Sequence, residues 1–288
     1  MLNCDWFLYC KMITQTSCII NGKFFKIVPE SQLDGSTSMN TPSSPESIQP
    51  NFTRAQILSF HFIPGVVITL AFVALAWFTA PYGWPPSLAL LLTWLVVGLP
   101  VLIGILFYQG RQRNSTWSLN GLLLYRQPLA RKQSFWLVLI LLVWAALAST
   151  LLFPLGETIR HNLLGFWPEW LNLSALAQNP MQYPPSILWT IVGLSAVLNI
   201  AVPIVEELYF RSFLLPRLGA APRWAPLWST VLFSLYHFWL PWDVIGRIIT
   251  LLPVVYVVQW QRNVYISIWV HCLLNLIGTI GLAAVILT

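Results

Sequence analysis

Nineteen consecutive residues, Ile187 to Val205, pass without a charge, and the run ends on two adjacent carboxylates, Glu206 and Glu207, with Arg211 four positions further on. About 20 predominantly apolar residues are what a helix needs to cross the hydrocarbon core of a bilayer. Lipid offers no partner to backbone polar groups, so a run of this kind is confined to a helix, which satisfies them internally. An ionised carboxylate in that setting costs roughly 2.5 kcal/mol or more on insertion scales. Two of them side by side are therefore a functional signal, and at least one is expected to be used.

The run is not isolated. After Arg54 the chain breaks into apolar stretches at Ile57–Phe78, Leu88–Tyr108, Phe135–Phe153, Ser186–Glu207, Trp224–Trp239, Val244–Gln259 and Val264–Thr288, the fifth and sixth of them short. Charged residues make up 8% of the chain and hydrophobic ones 57%, where a soluble domain carries about 25% charge. These features predict an all-α, polytopic helical membrane bundle of about seven transmembrane helices. Sixteen tryptophans suit interfacial belts.

Basic residues test the span count. With a cytoplasmic N-terminus and seven alternating spans, only Arg160 and Arg247 of the 15 Lys and Arg fall on the outer side, leaving 13 inside. That is a strong positive-inside bias. The net charge of +6 sits mostly in short connections and gives no argument for a nucleic-acid partner. Cys4, Cys10, Cys18 and Cys272 follow no metal or redox spacing.

Residues 1–54 differ in composition from 55–288. Ser, Thr, Pro and Asn crowd the stretch from Ser36 to Asn51, which reads as disordered. The tail lacks a signal-peptide layout, and an over-long gene model starting in truth at Met39 is an equal reading, which leaves open whether residues 1–38 are translated. Short loops and the lack of a eukaryotic targeting signal lean towards an integral protein of a bacterial plasma membrane.

Glu207 and Arg211, four apart, share a helix face, so Arg211 is expected to hold Glu207. Glu206 lies about 100° around the helix and faces elsewhere, which makes it the candidate for chemistry and Glu207 the candidate for support. Pro203 leaves the Asn199 carbonyl without its usual donor. Two later stretches supply polar groups at helical spacing: Phe233 with His237, and His271 with Asn275.

Converged, one carboxylate, two imidazoles and one amide suffice for peptide-bond hydrolysis. Glu206 can act as general base towards a water that His237 holds. His271 and Asn275 can donate to the oxyanion, at about 3 kcal/mol per well-placed donor. Glu206, His237 and His271 could equally hold a divalent metal such as zinc, with one position open for water. The spacing leaves both open, and no His-Glu-x-x-His motif is present.

Glu-Glu-x-x-x-Arg at 206–211, Phe-x-x-x-His at 233–237 and His-x-x-x-Asn at 271–275, in this order on separate helices, resemble the CPBP family of intramembrane proteases, also called the Abi or type II CAAX prenyl protease family. Phe210, Phe213, Pro216 and Arg217 after the first motif, and Arg262, Asn263 and Ile266 before the last, agree with it. The resemblance covers about residues 186–280. It implies a helical membrane hydrolase in which Glu206 and His237 activate water, His271 and Asn275 stabilise the oxyanion, and Glu207, Arg211 and Phe233 support the site. The family is commonly labelled metalloprotease, and a metal-free glutamate mechanism is also argued for it. The substrate so implied is a membrane-associated protein or peptide, lipidated in some members, cut near the cytoplasmic face. Ser212 stands where the family usually has Gly, and the sixth span has Pro253 and Gln259 in place of a Gly-rich pattern. Two readings of other classes stand beside the protease: a non-catalytic membrane scaffold or bacteriocin self-immunity protein, and a proton-coupled transporter with a Glu–His relay.

Overall fold

The structure is a computed structural model that describes residues 52–219 and 223–287, and the backbone of two short strands. The strands, β1 (Ser17–Ile20) and β2 (Lys23–Lys26), pair antiparallel with Ser17 opposite Lys26 and Ile20 opposite Lys23. They belong to a separate unit, Met1–Ile48, and are a local exception to the expected all-helical chain. The stretch 36–50, most of the segment expected to be disordered, lies outside the described residues.

The second unit is helical: α1 (Arg54–Thr79), α2 (Pro86–Thr93), α3 (Leu99–Asn114), α4 (Arg131–Leu163), α5 (Ala175–Gln178), α6 (Pro185–Glu207), α7 (Ala225–Tyr236), α8 (Val244–Gln261) and α9 (Tyr265–Leu287). Six segments among the described residues are long and apolar enough to cross a membrane: Arg54–Tyr82, Pro86–Asn114, Arg131–Leu163, Pro185–Arg217, Pro241–Gln261 and Tyr265–Leu287. The chain is an integral membrane protein. The expected fifth span, Trp224–Trp239, is the short α7 of 12 residues. At 1.5 Å per residue it reaches about 18 Å, short of a core about 30 Å thick. Its apolar character serves burial among other helices, since Phe233 and Tyr236 are almost wholly enclosed.

Two π-helical stretches interrupt long helices. Trp94–Gly98 joins α2 to α3, and Leu208–Leu214 continues α6 directly after the paired carboxylates. Wide turns of this kind recur at functional sites. Here the wide turn follows the kink-prone Pro203 and aims Tyr209, Phe210 and Phe213 into the core, where Phe210 meets Phe233 edge-on at 4.9 Å between centroids. α1 packs on this cluster through Gly65, where a Cβ would run into the Tyr236 carbonyl oxygen. Small residues allow such close helix approach within membranes.

The connection from α3 to α4 folds back and ties the helix ends that carry the site. Leu124 N–H donates to the Ser212 carbonyl at 3.0 Å, and the Ser212 hydroxyl returns a bond to the Leu124 carbonyl. Arg217 donates to the Leu122 carbonyl at 2.8 Å. On the other side, Gln127 N–H donates to the Arg262 carbonyl at 3.0 Å and Val264 N–H to the Tyr125 carbonyl at 2.7 Å. Arg262 takes the left-handed conformation that ends α8, and Asn263 accepts from the Ile266 N–H at the start of α9. One short loop thus fixes the end of α6 relative to the beginning of α9. α6 and α9 pack along each other, with Asn199 bonded to Thr279.

Candidate active site

Glu206 and Glu207 are both buried, at 2% and 1% exposure, and they point to different neighbours. Glu206 lines a cavity of about 700 Å³ between α2, α4, α6, α8 and α9. Glu207 does not line it. Its Oε2 stands 3.5 Å from Arg211 Nε, as the four-residue spacing predicts, and its Oε1 stands 3.1 Å from His271 Nδ1. The Arg211 guanidinium lies over the Phe233 ring at 4.2 Å.

His237 falls one residue past α7, with φ −81 and ψ 61. Its Nδ1–H donates to the Phe233 carbonyl at 2.8 Å, which leaves Nε2 as the acceptor. Phe233, Tyr236 and Trp239 pack around the imidazole, with centroids 4.7 to 4.9 Å away. Nε2 stands 3.9 Å from Glu206 Oε1, too far for a direct bond and a spacing that one water can bridge. Glu206 Oε1 and the Tyr236 hydroxyl, both buried, have no hydrogen-bond partner, and the two side chains are close enough to interact. A buried polar atom without a partner costs about 1–3 kcal/mol, so these atoms mark a place for a polar guest.

His271 and Asn275 line the same cavity as Glu206, Phe233 and His237. The four groups assigned to chemistry in the sequence therefore meet at one cavity, from α6, the end of α7 and α9. The His271 ring bonds Glu207, the carboxylate read as supporting the site. With Nδ1–H so committed, Nε2 can donate only as the imidazolium, in which both nitrogens carry protons. Asn275 places a neutral donor one turn away.

Among the described residues no three His, Cys, Asp or Glu side chains are grouped as metal ligands would be. His271 turns its Nδ1 to Glu207, a contact that orients the ring whether its Nε2 meets a substrate or a metal.

Among the polar cavity residues that escaped the sequence reading as site groups are Asn199 and Arg247. Asn199 lies two helical turns before Glu206 on nearly the same face, a spacing that could have found it. Arg247 lines the cavity and pairs with Asp243 at 2.9 Å. The signal for Arg247 was a lone cation in an apolar span.

No curated protein and no solved structure matches the chain. A family model described as type II CAAX prenyl endopeptidase Rce1-like matches residues 187–277. The matched stretch begins in α6 and ends in α9 and contains every residue of the three motifs, so over residues 187–277 this membrane chain is similar to the type II CAAX prenyl endopeptidase Rce1-like family.

Proposed function

We propose that the protein is an intramembrane endopeptidase that hydrolyses a peptide bond of a membrane-associated protein or peptide by glutamate-activated water. The observation that carries this reading is the facing of Glu206 Oε1 and His237 Nε2 across 3.9 Å, in a cavity that His271 and Asn275 also line. A water between the two acceptors gives a proton to Glu206 as its oxygen adds to the scissile carbonyl carbon. The carbonyl electron pair moves onto its oxygen, which Asn275 and His271 Nε2–H meet as donors. When the carbon–nitrogen bond breaks, the pair leaves on nitrogen and Glu206 returns its proton to the amine. No step is routed through a metal, since among the described residues no three His, Cys, Asp or Glu side chains are grouped as its ligands would be.

The family match supports a membrane-associated protein as substrate, and lipidation of that substrate belongs to the proposal as a feature to be tried in the assay. The distribution of Lys and Arg supports a cytoplasmic N-terminus and cleavage near the cytoplasmic face. Purified protein in liposomes, given a quenched-fluorescent apolar peptide with and without an S-farnesyl group, tests the reading. Glu206→Gln is expected to lower turnover by a factor on the order of 10²–10⁴, the worth of a positioned general base. Turnover at the wild-type rate in that variant would exclude the mechanism. A cellular phenotype that survives His237→Ala would favour the scaffold or immunity reading.

A further inference from the structure

Asn199 holds a position that neither the motifs nor the mechanism uses. It lies seven residues before Glu206 on α6, which is 20° off the same face, and it lines the same cavity. Its Nδ2 donates to Thr279 Oγ1 at 2.8 Å and to the Asn275 carbonyl at 3.3 Å, so the amide plane is held by α9. With the nitrogen so used, Oδ1 is the remaining pole of the amide, and among the described residues no donor is bonded to it.

Its backbone adds a second acceptor. Pro203 lies inside α6, and proline has no N–H, so the Asn199 carbonyl lacks the donor four residues on. Two acceptors therefore gather on one residue of a cavity wall that is otherwise largely apolar. In membrane-embedded protein such groups need donors, which lipid cannot supply. A peptide backbone in extended form presents N–H groups at a regular repeat of about 3.3 Å per residue. Asn199 is about 10.5 Å along the helix from Glu206, which equals about three residues of extended chain.

We infer that Asn199, held by Thr279, is a substrate-positioning residue that accepts a hydrogen bond from a backbone N–H of the bound peptide about three residues from the bond that is cut. This rests on the peptidase reading above. It names how the peptide is kept extended and in register, so that the scissile carbonyl faces Glu206 and not a neighbouring one. The contact is to backbone and carries no side-chain preference, which suits a site that accepts different apolar sequences.

The plain alternative is that Asn199 only ties α6 to α9, as polar side chains do between membrane helices. An N-methyl scan separates the two. Each amide of the quenched-fluorescent apolar peptide, on both sides of the scissile bond, is methylated in turn, and KM and kcat are measured for the purified protein in liposomes. In the wild type, one methylated position two to four residues from the cut is expected to raise KM by about tenfold, the worth of one lost hydrogen bond, with kcat held. In Asn199→Leu the unmodified peptide should show that same raised KM, and methylation at that position should add nothing. A wild-type scan with no sensitive position in that window overturns the inference, and this measurement does not depend on whether the variant folds. So does a methylation penalty of equal size in wild type and Asn199→Leu. Glu206→Gln separates the layers: if it is inactive while the scan is flat, the peptidase reading stands and the Asn199 contact falls; if Glu206→Gln cleaves like the wild type, both fall.

Discussion

His271 is held by Glu207, its Nδ1 3.1 Å from the Glu207 Oε1, while Glu206 Oε1 faces the cavity without a hydrogen-bond partner among the described residues. Adjacent carboxylates are thereby divided between two helices. Glu207 joins Arg211 to His271 and orients the ring from behind, and Glu206 is left for the guest. Removing the Glu207 charge while keeping its shape should let the imidazole wander. Glu207→Gln is expected to lower kcat by about 10–100-fold, the usual cost of losing a group that orients a working side chain, with KM little changed. Steady-state kinetics on the peptide reporter read this split. A variant that raises KM alone would place Glu207 in binding.

A ligand set needs its donors turned to one point, and Glu206, His237 and His271 are not grouped that way. Turnover by the purified protein is therefore expected to be unchanged after treatment with EDTA or 1,10-phenanthroline. Elemental analysis of active protein should find zinc well below one equivalent. Activity lost to chelator and regained with added zinc would show that the three residues regroup around a metal.

Gly65 on α1 touches the back of the site. A Cβ there would run into the Tyr236 carbonyl and come within 2.9 Å of the Tyr236 ring, one residue before His237. Gly65→Ala should push α1 off α7, at a cost of about 1–3 kcal/mol for overpacking. Its effect on turnover should exceed its effect on unfolding, since His237 moves with Tyr236. Gly104→Ala on α3, where a Cβ meets nothing within 4 Å, is the control and should be neutral or stabilising. Thermal unfolding in detergent, beside activity, makes the comparison.

Much of this could be read from the sequence because helical spacing alone separates neighbours. The 100° between Glu206 and Glu207, the Glu207–Arg211 pair and the Phe233–His237 pair are consequences of periodicity within one element. What periodicity cannot supply is which element lies opposite. The bond from His271 to Glu207 joins α6 and α9 across 64 positions and depends on the loop at 122–127 that ties their ends. α7 shows the same limit, because hydropathy does not distinguish a helix enclosed by protein from one facing lipid. Its end at His237 comes from the side chain bonding back to the Phe233 carbonyl, with Pro241 soon after. In the N-terminal unit, Asn21-Gly22 stands in the sequence between the runs that pair as β1 and β2, a dipeptide that signals a hairpin.

Ser212 explains one departure from the family pattern. Where the family usually has glycine, this buried serine donates to the Leu124 carbonyl, and its own carbonyl accepts from Leu124 N–H. The hydroxyl clamps the loop that joins the ends of α6 and α9. Ser212→Ala should leave the Leu124 carbonyl unpaired and cost about 1–3 kcal/mol. The loss should appear as a lower unfolding temperature and as faster hydrogen exchange confined to the 119–127 loop. Unchanged exchange there would show that the backbone bonds suffice.

Arg247 and Asp243 form a further polar contact on the cavity wall, with Arg247 Nη2 2.9 Å from Asp243 Oδ2 and Nη1 3.3 Å from the Ser234 carbonyl. The Asp243 side chain is 43% exposed, so solvent screens the pair and its net worth is modest. Leaving either charge alone beside the cavity is the costlier change, because an unpaired partner keeps its desolvation without its attraction. Arg247→Met and Asp243→Asn are each expected to lower stability, by about 1 kcal/mol after discounting for exposure. The double variant should lose less than the sum of the two, with a coupling on the order of 0.5–1 kcal/mol. Unfolding of the four proteins in the same detergent measures it, and the same four assayed with the peptide reporter show whether the guanidinium does more than hold Asp243. If activity falls in both Arg247→Met and the double variant while Asp243→Asn keeps it, Arg247 acts on the Glu206 cavity itself; if activity simply follows stability, the pair is a strut between the end of α7 and α8.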